Sequence, residues 1–393
     1  MTIIKFAGFM ATFLLLLFGT HYLLYATFVR FFVISDPGTR KAMMGLLIFL
    51  ALSFFLSVFL LRLHVNPFTS LLYVISCIWL GLFLHLLIAL VLIWLVFGVG
   101  KLTGSVPDMR MVTLGFFLLA AAISVYGVWR AQDPQLKRIE VEIEGLPDHW
   151  RNRTLVQLSD LHLGTINRTG FMQRVADKVN SEDPDLILIT GDLFDGMGGD
   201  LSSFIGPLKN LSASKGIFFV TGNHEGYLGL DEPLAVLGKT DIQVLDNEIV
   251  ELDGLRIVGI SFPEHDRENS PRHLLTQSGS LDDRKPSILL YHTPTNISES
   301  NTDRGSQQTK TYWYPDTSMT LAKEAGIDLQ LSGHTHKGQL FPFGFLTRAI
   351  YKGFDYGLHR DGGFQIYITS GAGTWGPPMR TGSSSEIVAI RLR

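Results

Sequence analysis

Five short apolar runs in this chain each end in residues that can hold a metal ion or carry a proton. Residues 154–158 lead into Ser159-Asp160-Leu161-His162, and residues 185–190 into Gly191-Asp192-Leu193-Phe194-Asp195. Residues 217–220 lead into Thr221-Gly222-Asn223-His224-Glu225, residues 288–291 into His292-Thr293-Pro294, and residues 328–331 into Ser332-Gly333-His334-Thr335-His336. The runs are short, rich in Ile, Leu, Val and Phe, and punctuated by Gly or Pro, so they predict buried strands. In an open α/β sheet, ligands gather beyond the carboxyl ends of the strands. An aspartate after a glycine commonly caps a helix or turn. Five strand ends in succession, each carrying Asp, Asn or His, point instead to a divalent cation site. Imidazole and carboxylate suit Mn, Fe or Zn better than Ca. The single cysteine, Cys77, lies far from these motifs in the sequence. It excludes a thiolate zinc site and any disulfide within the chain.

The elements that must position these residues alternate between strand and helix. Residues 165–180 place Phe171, Val175 and Val179 on one helical face. Residues 201–211 predict a second helix and 234–237 a short third. Residues 242–245, 248–252 and 255–261 predict strands in an antiparallel patch. Upstream, Ile139, Val141 and Ile143 alternate with Glu140, Glu142 and Glu144, the period of a strand with one wet face. Gln132-Asp133-Pro134 reads as a linker, and the globular part is expected to begin near Lys137. The pattern predicts an α/β domain with a mixed sheet or two packed sheets and helices outside. Residues 296–315 interrupt it. They are polar and then aromatic, and predict either a surface excursion or a lid.

The first third has a different composition. Residues 1–130 carry eight Lys or Arg against two Asp, while the remainder carries 25 basic and 34 acidic side chains. Four apolar stretches, 6–29, 42–61, 70–99 and 111–129, are long enough to cross a bilayer core of about 30 Å. The third is too short for two spans, so it predicts one tilted or protruding helix. Four spans put both chain ends on one side. Arg30, Arg40, Lys41, Lys101 and Arg110 lie in the loops between spans one and two and between three and four. The positive-inside rule then places the large domain outside. His85, in the third span, is expected to be a neutral histidine bonded to a neighbouring helix, because no Asp or Glu lies in any span.

Taken together, Asp160-x-His162, Gly191-Asp192-x-x-Asp195, Gly222-Asn223-His224-Glu225, His292 and Gly333-His334-x-His336 resemble the calcineurin-like metallophosphoesterase family. The spacing and the segment from Ser370-Gly371-Ala372-Gly373-Thr374 to Arg380 look like its YkuE/YaeI-type branch, which is similar to pyrophosphatases acting on a nucleotide-sugar lipid. A four-span anchor departs from that branch. The resemblance covers residues 138–393. It implies a four-layer α/β/β/α sandwich, preceded here by a transmembrane region (1–130) and a linker (131–137). It also implies two divalent metal ions, with Mn favoured and Fe, Zn or Mg as alternatives. Asp160, His162 and His336 would hold the first ion, and Asn223, His292 and His334 the second. Asp192 would bridge the two. The implied reaction is attack on phosphorus by a hydroxide bridging the metals. His224 would protonate the leaving oxygen, Asp195 would orient His224, and Arg380 would clamp a substrate phosphate.

The expected protein is therefore a membrane-anchored phosphoesterase, placed by the resemblance in a bacterial plasma membrane. Its expected substrate is a phosphodiester or pyrophosphate, with a lipid or nucleotide-sugar lipid as a candidate. A non-catalytic sensor or scaffold keeping the fold is the alternative, and a lost ligand would be its mark; none is lost. A transporter would need polar or broken helices in the membrane. The acidic domain argues against nucleic acid as a partner, which calls for a basic face.

Overall fold

The structure is a computed structural model that describes residues 3–197, 199–262, 274–275, 285–297 and 314–393. Most of 296–315, the expected excursion or lid, lies outside the described residues. The chain divides into two compact units. One comprises residues 1–128 with 376–379, and the other residues 129–375 with 380–393.

The first unit contains four long helices: α1 (Ile3–Phe31), α2 (Pro37–Leu63), α3 (Pro67–Thr103) and α4 (Met109–Ala131). All four are long and apolar enough to cross a membrane. Asp36 and Asn66 cap α2 and α3, each followed by proline at the first helical position, where its missing N–H costs nothing. The third span is one unbroken helix of 37 residues, about 55 Å long, so it exceeds the hydrocarbon thickness. Polar side chains meet between helices. Ser57 and Ser76 hydroxyls lie 2.7 Å apart, Trp94 Nε1 donates to Thr27 Oγ1 at 2.9 Å, and His85 Nδ1 lies 2.8 Å from Ser124 Oγ. His85 thus has the interhelical bond expected of a structural histidine.

The second unit is built on two six-stranded sheets. The first comprises β1 (Gln135–Val141), β12 (Glu386–Leu392), β2 (Thr154–Leu158), β3 (Leu186–Thr190), β4 (Ile217–Val220) and β5 (Ile242–Val244), in that spatial order. The second runs β10 (Gly357–Asp361), β11 (Phe364–Ile368), β9 (Leu329–Ser332), β8 (Ser287–Tyr291), β7 (Leu255–Ile260) and β6 (Glu248–Leu252). Within them β2, β3, β4 and β5 pair in parallel, as do β7, β8, β9 and β11. Parallel strands covered on both faces need apolar residues on both, so these runs read as continuous rather than alternating. In β3, Leu186 and Leu188 pack with Leu290, Leu329 and Tyr367 of the other sheet. Ile187 and Ile189 face the opposite way, against Phe171, Val175 and Val179 of α5 (Thr169–Asn180). A third cluster joins the outer face of the second sheet to Leu321, Ala322 and Ile327. The layers are therefore α/β/β/α.

Two expectations need correction. Residues 242–245 do not belong to the antiparallel patch: β5 adds in parallel to β4, in the first sheet. Of the three strands expected in that patch, only β6 and β7 pair with each other antiparallel. The chain changes sheets through Asn247, whose φ of 57° turns the backbone and whose Oδ1 accepts from the Ser261 N–H. The helix expected over 201–211 is a 3-10 turn, Leu201–Phe204, followed by α6 (Ile205–Lys209). Pro207 has no N–H and fits only the first turn of a helix, which forces a fresh start there.

Candidate metal centre

Three strand ends of the first sheet and two of the second converge on one buried pocket of donors. Asp160 and His162 follow β2, and Asp192 and Asp195 follow β3. Asn223 and His224 open α7 (Asn223–Leu228) after β4, His292 follows β8, and His334 and His336 follow β9. Asp160, His162, Asp192, His334 and His336 all have positive φ, between 45° and 71°. Non-glycine residues adopt this conformation uncommonly, Asp and His more readily than most, and such residues cluster at functional sites. Here the left-handed turn points each side chain inward, in line with the strand it leaves. Close approach also sets the glycines. A Cβ on Gly222 would overlap Asp192 Oδ1, and one on Gly333 would overlap Ser159 Oγ and Asp160 Oδ2.

The donors form two adjoining groups. In one, His336 Nε2 lies 3.4 Å from Asp160 Oδ1 and 3.0 Å from His162 Nε2. In the other, His334 Nδ1 lies 3.0 Å from Asn223 Oδ1 and 3.2 Å from His292 Nε2. Asp192 Oδ2 reaches both, at 3.2 Å from His292 Nε2 and 3.9 Å from His162 Nε2. Asp160/His162/His336 and Asp192/His292/His334 each converge tightly enough to hold an ion. So does a third set, His162/Asp192/His224.

The polarity of the pocket fits a cation. His292 Nδ1 lies 2.8 Å from the Thr190 carbonyl and must donate to it, so the neutral ring aims a bare Nε2 lone pair at the Asp192 carboxylate. Two acceptors at that distance need a positive charge between them. A proton can serve: His292 is pushed up to about 9, because Asp192 and Asp160 outweigh the burial that opposes its charge. A divalent ion serves better, since several lone pairs then share one charge. Burial holds the His162 and His336 rings well below the ordinary imidazole range, and His334 down to about 3. Neutral imidazole is the form that ligates.

Sequence comparison agrees with this geometry. Residues 153–338 match the calcineurin-like phosphoesterase family. A metallophosphoesterase of Campylobacter jejuni is 34% identical over 289 residues, covering 73% of this chain and 69% of the relative. The chain belongs to the calcineurin-like phosphoesterase family. The metallophosphoesterase YkuE of Bacillus subtilis is 27% identical over 287 residues, covering 68% of this chain and 90% of YkuE. A transmembrane protein with metallophosphoesterase domain from Danio rerio is 32% identical over 289 residues, covering 70% of this chain and 61% of that relative. The family is dimetal-dependent, and this member is a membrane protein with a metal-dependent phosphoesterase domain.

Within this metallophosphoesterase, His224 and Asp195 sit beside the metal-facing donors. The His224 ring lies 4.4 Å from that of His162, and its backbone N–H donates to Asp192 Oδ1 at 2.9 Å. Two groups compete for His224 Nδ1. The Gly196 N–H approaches at 3.1 Å, while Asp195 Oδ1, buried and without another hydrogen-bond partner among the described residues, lies 3.6 Å away. A neutral ring accepts from Gly196; a protonated ring turns to Asp195. Burial opposes the charged ring, but Asp192, Asp195 and Glu225 outweigh it and raise its pKa.

Arg380 is placed differently from the expected phosphate clamp. Its side chain is 1% exposed and its fork is already in use. It donates to the carbonyls of Gly371, Gly373 and His336 and to Ser383 Oγ, and Nη2 lies 3.2 Å from His336 Nδ1. With its donors committed to backbone and ring, it holds the 371–373 turn against His336 and has little left for a substrate oxygen.

Glu225 was not singled out from the sequence, although a glutamate three residues after Gly222 stands where a capping box puts one. It is fully buried and accepts three backbone N–H groups: Asp192 at 3.1 Å, Gly222 at 2.7 Å and Phe194 at 3.0 Å. It therefore ties the turn bearing Asp192 to the turn bearing Asn223. Burial and the neighbouring Asp192 raise its pKa to about 7. Glu225→Gln keeps the shape but sets an NH₂ group against at least one of those N–H groups. We expect turnover or metal affinity to fall roughly 10- to 100-fold, the usual effect of losing a partner behind a metal ligand. Kinetics and bound metal per chain measure it, and unchanged values for both would remove Glu225 from the site's support.

Proposed function

We propose that this membrane protein hydrolyses a phosphodiester or pyrophosphate, with a lipid or nucleotide-sugar lipid as the favoured substrate class. The observation that carries the reading is the meeting of both donor groups on one Asp192 oxygen, with His224 alongside. Asp160, His162 and His336 would hold one ion, Asn223, His292 and His334 the other, and Asp192 both. When bound, the two ions would supply an acidified water and neutralise charge on the phosphoryl oxygens. The protein residues do the rest. Asp192 fixes the spacing, and Glu225 and Arg380 hold the ligand-bearing turns. His224 carries a proton towards the leaving oxygen, with Asp195 stabilising the charged ring. Manganese is the favoured ion for a histidine and carboxylate set, with Fe, Zn and Mg as alternatives.

A lipid substrate is favoured because an enzyme held at a bilayer meets lipids at high effective concentration. The excess of Lys and Arg in the first and third loops supports a catalytic unit facing outside. The full-length protein in detergent, stripped of metal and then supplied with Mn, Mg, Zn or Fe(II), tests the reading with a chromogenic diester beside a chromogenic monoester. Metal-dependent turnover with the diester preferred is expected. Preference for the monoester would overturn the diester assignment, and a folded protein that binds no metal would overturn the whole.

A further inference from the structure

The chain leaves the donor cluster at His336, turns through Lys337 and Gln339 at φ 50° and 46°, and enters the helix Phe343–Ile350. None of the eight residues of this helix is buried. At 100° per residue, Phe345, Ala349, Leu346, Ile350 and Phe343 occupy one arc, while Arg348 and Thr347 lie outside it. Phe345 is 73% exposed. Phe341, just before the helix, is exposed too, with its ring 6.1 Å from that of Phe345. Two further exposed aromatic side chains lie nearer the site. The Gln339 side chain is bonded twice to the Trp375 backbone, at 2.9 and 3.0 Å. Trp375 is 55% exposed and its ring lies 6.4 Å from that of His224. Tyr227, also exposed, lies 5.1 Å from the same histidine.

Water-facing proteins rarely leave such a cluster uncovered. Amphipathic helices with Phe, Leu and Trp on one side and cations beside them lie in the headgroup layer of a bilayer. The exposed charges on and just after this helix, Arg348 and Lys352, are both positive and suit anionic headgroups. Pairing with a second copy through the same face would bring these like charges together. A bilayer is also the apolar phase that a membrane protein always has within reach.

We propose that the helix Phe343–Ile350, with Phe341 and Trp375, docks on the surface of an anionic phospholipid bilayer and sets the His224 rim of the site against the lipid headgroups. The inference rests on the chain being a membrane protein and holds whether its substrate is a diester or a monoester. The apolar arc would lie about 5–10 Å below the headgroup boundary.

The test uses the full-length protein in nanodiscs of phosphatidylcholine with and without phosphatidylglycerol. A spin label goes on Phe345→Cys, with Lys209→Cys as an exposed control and the unsubstituted protein as a blank for buried Cys77. In the anionic bilayer, the label at 345 should lose relaxation by a water-soluble nickel complex and keep relaxation by oxygen, whereas the control keeps the nickel effect. Adding Arg348→Glu and Lys352→Glu should restore nickel access at 345. Turnover of the chromogenic diester or monoester by the labelled protein reports separately that the active site is intact. Nickel access at 345 equal to the control would overturn the proposal. Dipolar broadening that grows with two proteins per disc would assign the face to a second copy instead.

Discussion

Asp192→Asn should leave a folded protein that has lost at least one metal ion and nearly all its activity. The amide nearly matches the carboxylate in shape. With Oδ1 kept, it still accepts from the His224 N–H, and an NH₂ at the Oδ2 position can donate to His292 Nε2, 3.2 Å away. The apoprotein should therefore melt close to the parent temperature. Two dications side by side tolerate each other only with negative charge between them. Removing a unit charge about 4 Å from a unit positive charge forfeits about 4 kcal/mol in surroundings of intermediate polarity, equivalent to about 10³ in affinity. We expect at least one ion to be lost and turnover to fall about 10³-fold or more. Elemental analysis of the purified variant, with its turnover at saturating Mn, measures both. Two ions retained with turnover intact would remove Asp192 from the bridging position.

How far the sequence revealed this centre depends on which physical constraint each part obeys. Leu186 to Ile189 is legible as a strand because both its faces are covered, one by the second sheet and one by α5, so each of these positions is apolar. The candidate donors that follow such runs stand out because few residue types bind metal. Residues 242–245 were misplaced because a short apolar run says nothing about which sheet it joins. That is decided by Asn247, where the backbone turns from one sheet to the other. The left-handed backbone at Asp160, His162, Asp192, His334 and His336 leaves no mark in the sequence, since the same residue types occur in ordinary turns. Arg380 shows the same limit. A lone arginine near a site suggests a phosphate ligand, and only the three carbonyls around it reveal a structural tie. The apolar side chains of the helix Phe343–Ile350 would suit a buried face equally well, so its exposure is visible only in the fold.

His224→Ala should separate proton transfer from metal binding. Loss of a positioned general acid costs about 10²–10⁴ in rate. His162, Asp192 and His224 lie close enough to share an ion, so a ligand role for His224 makes a competing forecast. As a proton carrier, His224 can be removed while two ions per chain remain, and the loss falls on kcat. As a ligand, its removal costs an ion, and excess metal restores part of the activity. The leaving group sharpens the distinction. A diester whose leaving oxygen is already acidic needs little help from a proton donor, whereas a poor leaving group needs much. The His224→Ala defect should therefore shrink as the leaving group becomes more acidic, with metal content constant throughout. A defect independent of the leaving group, together with one ion lost, would place His224 among the ligands. Asp195→Asn should follow the same trend with a smaller loss, because Asp195 stabilises only the charged form of the ring and Gly196 still holds the neutral one.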